Sequence, residues 1–525
     1  MNCVDLKTNI WGFDKMKKFF LENSAFALLF VALLGYVNGA QALTTFTING
    51  PSGGDDRPFI QDAINSAIAV GNAEVVLRGG TYQLQSYDAE AGTHLLFFGG
   101  NNVSLKGYPG ETVNFIYWNI AARGILANTT TDLQIDSLSF DWKYHPFGQG
   151  TVVSVDTANK VVWATNDEGY ATWDNSIFNL PFQTTYLLRS TRGNTPPNCT
   201  IIPKVASPTG SWGFMTGYDW FMYSDLDNCP DGIQPGQKVV LNRNSFASVG
   251  IHLLKVSGAM LSNLTFYASP GLVTFDEFSD RGIIYSGINF VNYNIIYHPT
   301  DSSRTITANA DGIHSRASRA PLYVFNSMFY GLADNAIDAH GQAAYYVDLA
   351  FSGGDWTLAY YDHDHYLDGF RNGDAVEIYN VSANATRCSL ITKGTPYTCG
   401  SNSCVKVSTP SCSGMVPYVE GEGNESTADW ITNINQAATM TIDNNKFYGS
   451  RGLAIINRRW DATITNNVIG DPYYGKPNWA GIHEGVCPYD LQYGPQGRYV
   501  YPGLDSQVIY NNTGIYGNLV SGCWP

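Results

Sequence analysis

Asp311 in "NADGIH" and Asp334 in "LADNAI" stand 23 residues apart, and the residue after the second is Asn335. Paired carboxyl groups carry proton transfer. One, with a raised pKa, protonates a leaving oxygen, and the other activates water or attacks directly. That chemistry needs both groups in one groove. A step of 23 residues supplies this if the chain climbs as a solenoid with one coil of a little over twenty residues, setting Asp334 one coil above Asp311. Neither acid is followed by a bulky side chain, which leaves room for a ligand. Asp also suits turns in its own right, so spacing alone keeps a structural role open.

The elements that must position such a pair are visible as repeats. "LQIDSLSFDW" (Leu133–Trp142), "MLSNLTFYAS" (Met260–Ser269), "IYSGINFVNY" (Ile284–Tyr293), "YVFNSMFYGL" (Tyr323–Leu332), "TIDNNKFYGS" (Thr441–Ser450) and "TITNNVIGD" (Thr463–Asp471) share one pattern. A short alternating strand is followed by a small polar residue, then an apolar residue three positions on. β-branched and aromatic content makes the units strands, and the period makes the array a parallel β-helix with one continuous core. A β-sandwich is the rival, but its strands have no need of a recurring Asn-x-x-Phe signature. Residues Pro58 to Ala69 carry a helical pattern with Phe59, Ile60, Ala63, Ile64, Ala67 and Ile68 on one face. Asp55 or Asp56 is the N-cap and Gly71 the stop, and the helix covers the open end of the solenoid. "EVVLRGGTYQL" then forms the first coil.

The expected fold is all-β: a right-handed parallel β-helix with an N-terminal capping helix and two antiparallel β excursions. Its divisions are a leader (1–42), capping helix and first coils (43–149), a first inserted β subdomain (150–245), central coils with the candidate site (246–341), a second inserted, cysteine-rich subdomain (342–437) and C-terminal coils (438–525).

The leader reads as a cleaved signal peptide or a signal-anchor. Lys17 and Lys18 precede an apolar run from Ala25 to Leu34, and Ala40-Gln41-Ala42 offers a cleavage site; Met16 is an alternative start. Of 9 cysteines, all but Cys3 lie beyond the leader. An even remainder suits disulfides in a secreted chain, with zinc the rival reading of the Cys388, Cys399, Cys404 and Cys412 cluster. Sequons at Asn102, Asn128, Asn198, Asn263, Asn380, Asn384, Asn424 and Asn511 point to a glycosylated secretory protein. The net charge of −15 argues against nucleic acid and mildly against a strongly anionic polymer. No stable membrane contact is expected unless the leader is uncleaved.

From roughly Asp55 to Gly485 the chain resembles the right-handed parallel β-helix glycosidases, the superfamily of polygalacturonases and pectate lyases. "GDDRPFIQDAINSA" resembles that superfamily's capping-helix opening. The order of "DWKYHPFGQGTVVSV", "FYASPGLVTF", "NADGIHS", "GLADNAIDAHG", "FRNGDAVEIYN" and "NNKFYGSRGLAIINRRWDATITNNVIG" is similar to the α-1,3-galactosidase family of glycoside hydrolases. The resemblance implies an inverting mechanism with three aspartates, one on a first coil and a consecutive pair on the next. Carried over, Asp334 is the acid and Asp311 a base. Asn335 departs from the pattern, since it accepts a hydrogen bond but no proton. Its neutrality also removes a like charge that would raise the pKa of Asp334, which weakens an acid.

On strict alternation Asp334, Ala336, Asp338 and His340 share a face while Ile337 points to the core, which makes Asp338 a substitute base. His314, Asp338, His340, Arg451 and Glu484 are the expected substrate-binding residues, with Trp460 and Trp479 as further aromatic candidates. His314 and His340 equally suit backbone-satisfied turn positions. "YDHDHYLDG" (Tyr361–Gly369) invites a metal reading, but no metal or cofactor is expected. The expected activity is hydrolysis of an α-linked, galactose-type bond in an oligo- or polysaccharide outside the cell. Two alternatives stay open: a carbohydrate-binding or matrix protein on the same scaffold, and a polygalacturonase- or lyase-like enzyme.

Overall fold

The computed structural model describes residues 42–156, 161–167, 170, 184–189, 200–201, 219–222, 235–236, 238–243, 248–291, 304, 306–341, 343–361, 367–380, 385–419, 428–436, 438–448, 454–458, 462–470, 482–484, 508–510, 513–514 and 520–521. Residues 1–41 of the leader, Arg451, Trp460, Trp479 and the residues 362–366 of "YDHDHYLDG" lie outside them.

Among the described residues, three parallel sheets hold ten, nine and nine strands. Each coil contributes one strand to each sheet in turn, as with Arg281–Ser286, Asn289–Phe290 and then Ile313–Arg316. This is the parallel β-helix anticipated from the repeats. The repeat signature has a direct structural meaning. Its polar residue adopts a left-handed turn, as at Asn263 (φ 53°), Asn326 (φ 51°) and Asn444 (φ 57°). Asn tolerates this conformation better than other side chains. The Phe three positions on points inward. Phe140, Phe266, Phe290, Phe329 and Phe447 stack in a column at centroid spacings of 4.8, 5.6, 4.6 and 4.8 Å. Stacked pairs add about 0.5–1.5 kcal/mol each beyond the area they bury.

The helix spans Arg57–Val70 and lays Ile60, Ile64 and Ala67 on the core. Asp56 occupies the N-cap position but does not cap: its carboxylate accepts from Ser52 and from the Gln83 backbone N–H, tying the helix start to the first coils. Asp55 accepts from the Arg57 N–H instead. "EVVLRGGTYQL" is not the first coil. Thr44–Ile48 precedes it and pairs in parallel with Ala73–Leu77.

Two antiparallel excursions interrupt the coils. The first leaves after Ser139–Trp142 in the second sheet and returns at Ile251–Leu254 in the third, and its six strands form an open sheet. The second leaves after Ile337–His340 in the third sheet, closes a six-stranded barrel from Ala343 to Asn433, and returns at Met440–Asp443 in the first. The excursions therefore emerge at the two borders of the third sheet. Arg319 on the solenoid pairs with buried Asp374 of the barrel, and Arg371 donates to the Phe278 carbonyl at 3.0 Å, docking the barrel to the coil turn. Within the barrel, disulfides join Cys388 to Cys412 and Cys399 to Cys404, so this cluster holds no zinc. Among the described sequons, Asn102 and Asn263 are exposed, Asn128 is half-buried and Asn380 is buried.

Candidate functional site

The third sheet places one file of side chains on its outer face: His252, Phe275, His314, Asp338 and Ile456, coil upon coil in register. A second outer file holds Leu254, Glu277, Arg316 and His340, and Arg458 takes the next register position. Between the files runs an inward one, with Asp276, Ser315, Ala339 and Asn457. Glu484 pairs in register with Asn457.

Asp311 lies just ahead of its strand, 4% exposed. The loop carrying it is built coil upon coil: Val273 N–H donates to the Asp311 carbonyl at 3.0 Å, and Gly312 N–H donates to the Asn335 carbonyl at 3.1 Å. The Asn335 N–H in turn donates to Asp311 Oδ1 at 2.8 Å across a separation of 24 residues. The coil step is thus one longer than the Asp311–Asp334 spacing. Asn335 stacks directly on Asp311, and Asp334 sits half-buried in the bend before it. The small residue after Asp311 serves packing: a Cβ on Gly312 would meet the Ala336 carbonyl at 2.7 Å. Strict alternation also fails at this point. Ala336 and Ile337 both join the core, and outward alternation begins only with Asp338 and His340 on the strand Ile337–His340.

Four expected site residues converge. His314 Nδ1 is 2.7 Å from Asp311 Oδ2, and His314 Nε2 is 3.1 Å from His340 Nε2. His340 Nδ1 donates to the Gly341 carbonyl at 2.8 Å. Donor atoms of Asp311, His314 and Asp338 come within 4.8 Å of one another, which brings them within a metal's reach. In this arrangement His314 Nδ1 and Nε2 each already have a partner. Burial pushes the Asp311 carboxyl up, His314 opposes this, and the nearby Asp338 adds to the rise. Burial works against the His314 imidazolium, but the bond and charge of Asp311, with Asp338, hold its pKa above the ordinary value.

A second polar group on this face has no counterpart among the expected residues. His252 Nε2 lies 3.0 Å from Glu277 Oε2, and Arg316 Nη2 donates to Glu277 Oε1 at 2.7 Å. Phe275 links the two groups, stacked on His252 at 4.9 Å and edge-on to His314 at 5.2 Å. The strand "TFDE" (Thr274–Glu277) carried the available signal, since alternation sends Phe275 and Glu277 to one face. Burial holds the His252 pKa down; Glu277 is lowered despite its burial, through His252 and Arg316. Both shifts make stability present at neutral pH and lost on acidification, from the ordinary 6.5 downward for His252 and 4.5 downward for Glu277. His252→Phe should therefore flatten the fall of Tm below pH 6.5 relative to the parent protein, read by calorimetry across a pH series; parallel curves would refute the assignment.

The first excursion is tied to the same loops. Buried Arg304 pairs with Asp141 at 3.3 Å, contacts His145 Nδ1 at 2.9 Å and donates to the Tyr267 carbonyl at 2.7 Å. His145 stacks on Tyr170 at 4.1 Å, and Tyr170 packs with Phe147, Ile306 and Ala333, the residue before Asp334.

The chain matches no protein-family model and no curated protein. Among solved structures it is similar to the A-modules of two mannuronan C-5 epimerases of Azotobacter vinelandii. AlgE6 shows 10% identity, a TM-score of 0.29 and coverage of 90% of this chain and 87% of that one. AlgE4 shows 13% identity, a TM-score of 0.30 and coverage of 90% and 86%. A mannuronic-acid-specific polysaccharide family 6 lyase from human gut microbiota follows, with 10% identity, a TM-score of 0.25 and coverage of 92% and 78%. Likeness at this level speaks neither to ancestry nor to activity.

Proposed function

We propose that this chain is a glycoside hydrolase that cleaves an α-linked, galactose-type bond, with Asp311 and Asp334 as its two catalytic carboxyl groups. The observation that carries the reading is the hydrogen bond from Asn335 N–H to Asp311. It ties the loop bearing Asp334 to Asp311 across adjacent coils of a rigid scaffold. Rigid placement is what proton transfer to and from a sugar requires. Asp338 is a poorer partner for Asp311 in an inverting reaction. Their donor atoms come within 4.8 Å, whereas inverting carboxyl pairs stand about 6.5–9.5 Å apart to admit water. Asp338 serves instead to keep Asp311 protonated to higher pH.

The galactose-type specificity rests on the motif resemblance. A neutral sugar also suits a chain of net charge −15 better than a uronate polymer does. The barrel disulfides fit work in an oxidising compartment outside the cell. The test is a panel of α-galactosides and uronate polymers, with the product anomer followed by NMR. Release of β-configured galactose, abolished in Asp334→Asn, is the expected result. Unsaturated products from uronates, or full activity in Asp334→Asn, would overturn the reading.

A further inference from the structure

We infer that this chain carries N-linked glycans at Asn102 and Asn263 and none at Asn380, three positions that the sequence offers on equal terms. Each heads a sequon: Asn102-Val103-Ser104, Asn263-Leu264-Thr265 and Asn380-Val381-Ser382. The fold separates them. Asn102 lies in the turn between Thr93–Phe98 of the third sheet and Val103–Gly107 of the first, and is exposed. Asn263 lies in the turn between Ser257–Ser262 of the first sheet and Thr265–Phe266 of the second, and is exposed too. Asn128 stands between the extremes, half-buried. Asn380 ends the barrel strand Ala375–Asn380, pairs with Ala385 of the neighbouring strand and is 5% exposed. A side chain buried to that degree has no room for a solvated oligosaccharide, and stripping water from one is costly.

The two exposed asparagines are also held in a way that tolerates the modification. Both adopt the left-handed conformation, with φ of 50° at Asn102 and 53° at Asn263. Each makes a rung to the preceding coil: Asn102 Nδ2 donates to Asn72 Oδ1 at 2.5 Å, and Asn263 Nδ2 donates to Asp136 Oδ1 at 2.9 Å. An asparagine amide has two hydrogens, and one remains after a sugar is attached. The rung and the glycan therefore do not compete for the same hydrogen. Asn444 and Asn466 hold the same conformation and make rungs to Asn326 and Asp443, both at 2.7 Å, but neither heads a sequon. The Asn263 glycan stands at the one corner of the solenoid that the third sheet does not share, away from the face bearing His314 and Asp338.

The step is a group transfer from an oligosaccharide carried on a lipid diphosphate, catalysed by a membrane transferase of the secretory compartment. A bond forms between the Asn Nδ2 and the anomeric carbon of the oligosaccharide. The bond from that carbon to the diphosphate oxygen breaks, and the diphosphate leaves with the electron pair. The amide gives up one proton to the transferase's base. The same compartment is where the barrel's disulfides form. Transfer acts on the chain as it enters, before the barrel closes. A chain modified at Asn380 cannot complete the barrel, so the folded, secreted population is unmodified there.

The test is to secrete the full chain from a eukaryotic cell and map its glycans by peptide mass spectrometry. Release with peptide N-glycosidase in heavy-oxygen water turns each formerly glycosylated asparagine into a labelled aspartate. Peptides containing Asn102 and Asn263 should be labelled in the majority of molecules, and the peptide containing Asn380 should not. Asn444 and Asn466 control for spontaneous deamidation. A vacant Asn102 or Asn263, or a labelled Asn380, overturns the inference. The mapping uses the parent protein, so no variant has to fold for it to be decided. Ser104→Ala and Thr265→Val provide the second arm, because each removes a sequon and keeps the asparagine with its rung. Each should shift gel mobility by one glycan and the double variant by two. Unchanged mobility in either single variant overturns the assignment at that site.

Discussion

Asp311→Asn should lower kcat by roughly 10²–10⁴, the usual contribution of one general acid or base, with little change in KM or Tm. Asparagine preserves the hydrogen bonds of the position. Its Oδ1 still accepts the Asn335 N–H, now made at 2.8 Å to the carboxyl. Its amide Nδ2 donates towards His314 Nδ1, which suits the neutral imidazole carrying its hydrogen on Nε2. The chain through His340 to the Gly341 carbonyl is then complete with no ionisable proton in it. The substitution therefore removes the transferable proton and little else, which makes the rate the diagnostic quantity. Steady-state kinetics and thermal denaturation on the same preparation provide the check. A rate within threefold of the parent's would remove Asp311 from the chemistry, and a large fall in Tm would show that the amide had not fitted.

The second large effect concerns stability. Asp141 and Arg304 form an ion pair with both side chains at 0% exposure. Removing one partner of a buried pair generally costs about 3–5 kcal/mol. Asp141→Leu should show a loss of that size in urea denaturation, together with weakened activity, because Arg304 also holds the Tyr267 carbonyl and sits beside the stacked His145 and Tyr170. The double variant Asp141→Leu/Arg304→Met should recover most of the stability, since replacing a whole buried pair with apolar groups is often neutral or better. If the single variant costs under 1 kcal/mol, the pair does not clamp the loop.

The parts of this architecture governed by local rules could be read in the sequence. Asn-x-x-Phe announced both the left-handed turn and the inward Phe column, because each depends on one residue's own conformational preference and its place in the alternation. The capping helix was legible for the same reason, down to the face formed by Ile60, Ile64 and Ala67. What escaped depended on distance along the chain. The coil step at the site is 24, not 23, because one residue in the bend before Ile337 shifts the register invisibly. Arg316 meets Glu277 over a separation of 39, since a longer turn intervenes between their coils. Asp141 and Arg304 are 163 residues apart, with a whole excursion between them. Thr44–Ile48 was overlooked because five residues beside a leader carry no repeat partner in sequence. The convergence of His314 and His340 followed once the register was known, but their hydrogen-bond polarity depends on the Gly341 carbonyl, which no side-chain pattern reveals.

The interior column of phenylalanines does not register the excursions. Phe140 and Phe266 stand on opposite sides of the first, and Phe329 and Phe447 on opposite sides of the second, yet each pair stacks at 4.8 Å. The packing of the spine is thereby independent of the inserted segments. The column and the three sheets are fixed by coil-to-coil complementarity, while the excursions leave and re-enter at turns bordering the face that bears Asp311. Such a molecule is modular in an evolutionary sense: the inserted segments can lengthen, shorten or be exchanged while the scaffold keeps the coils in register. On the proposed reading, selection for a new sugar can then act on the inserted segments without first having to reinvent the spine.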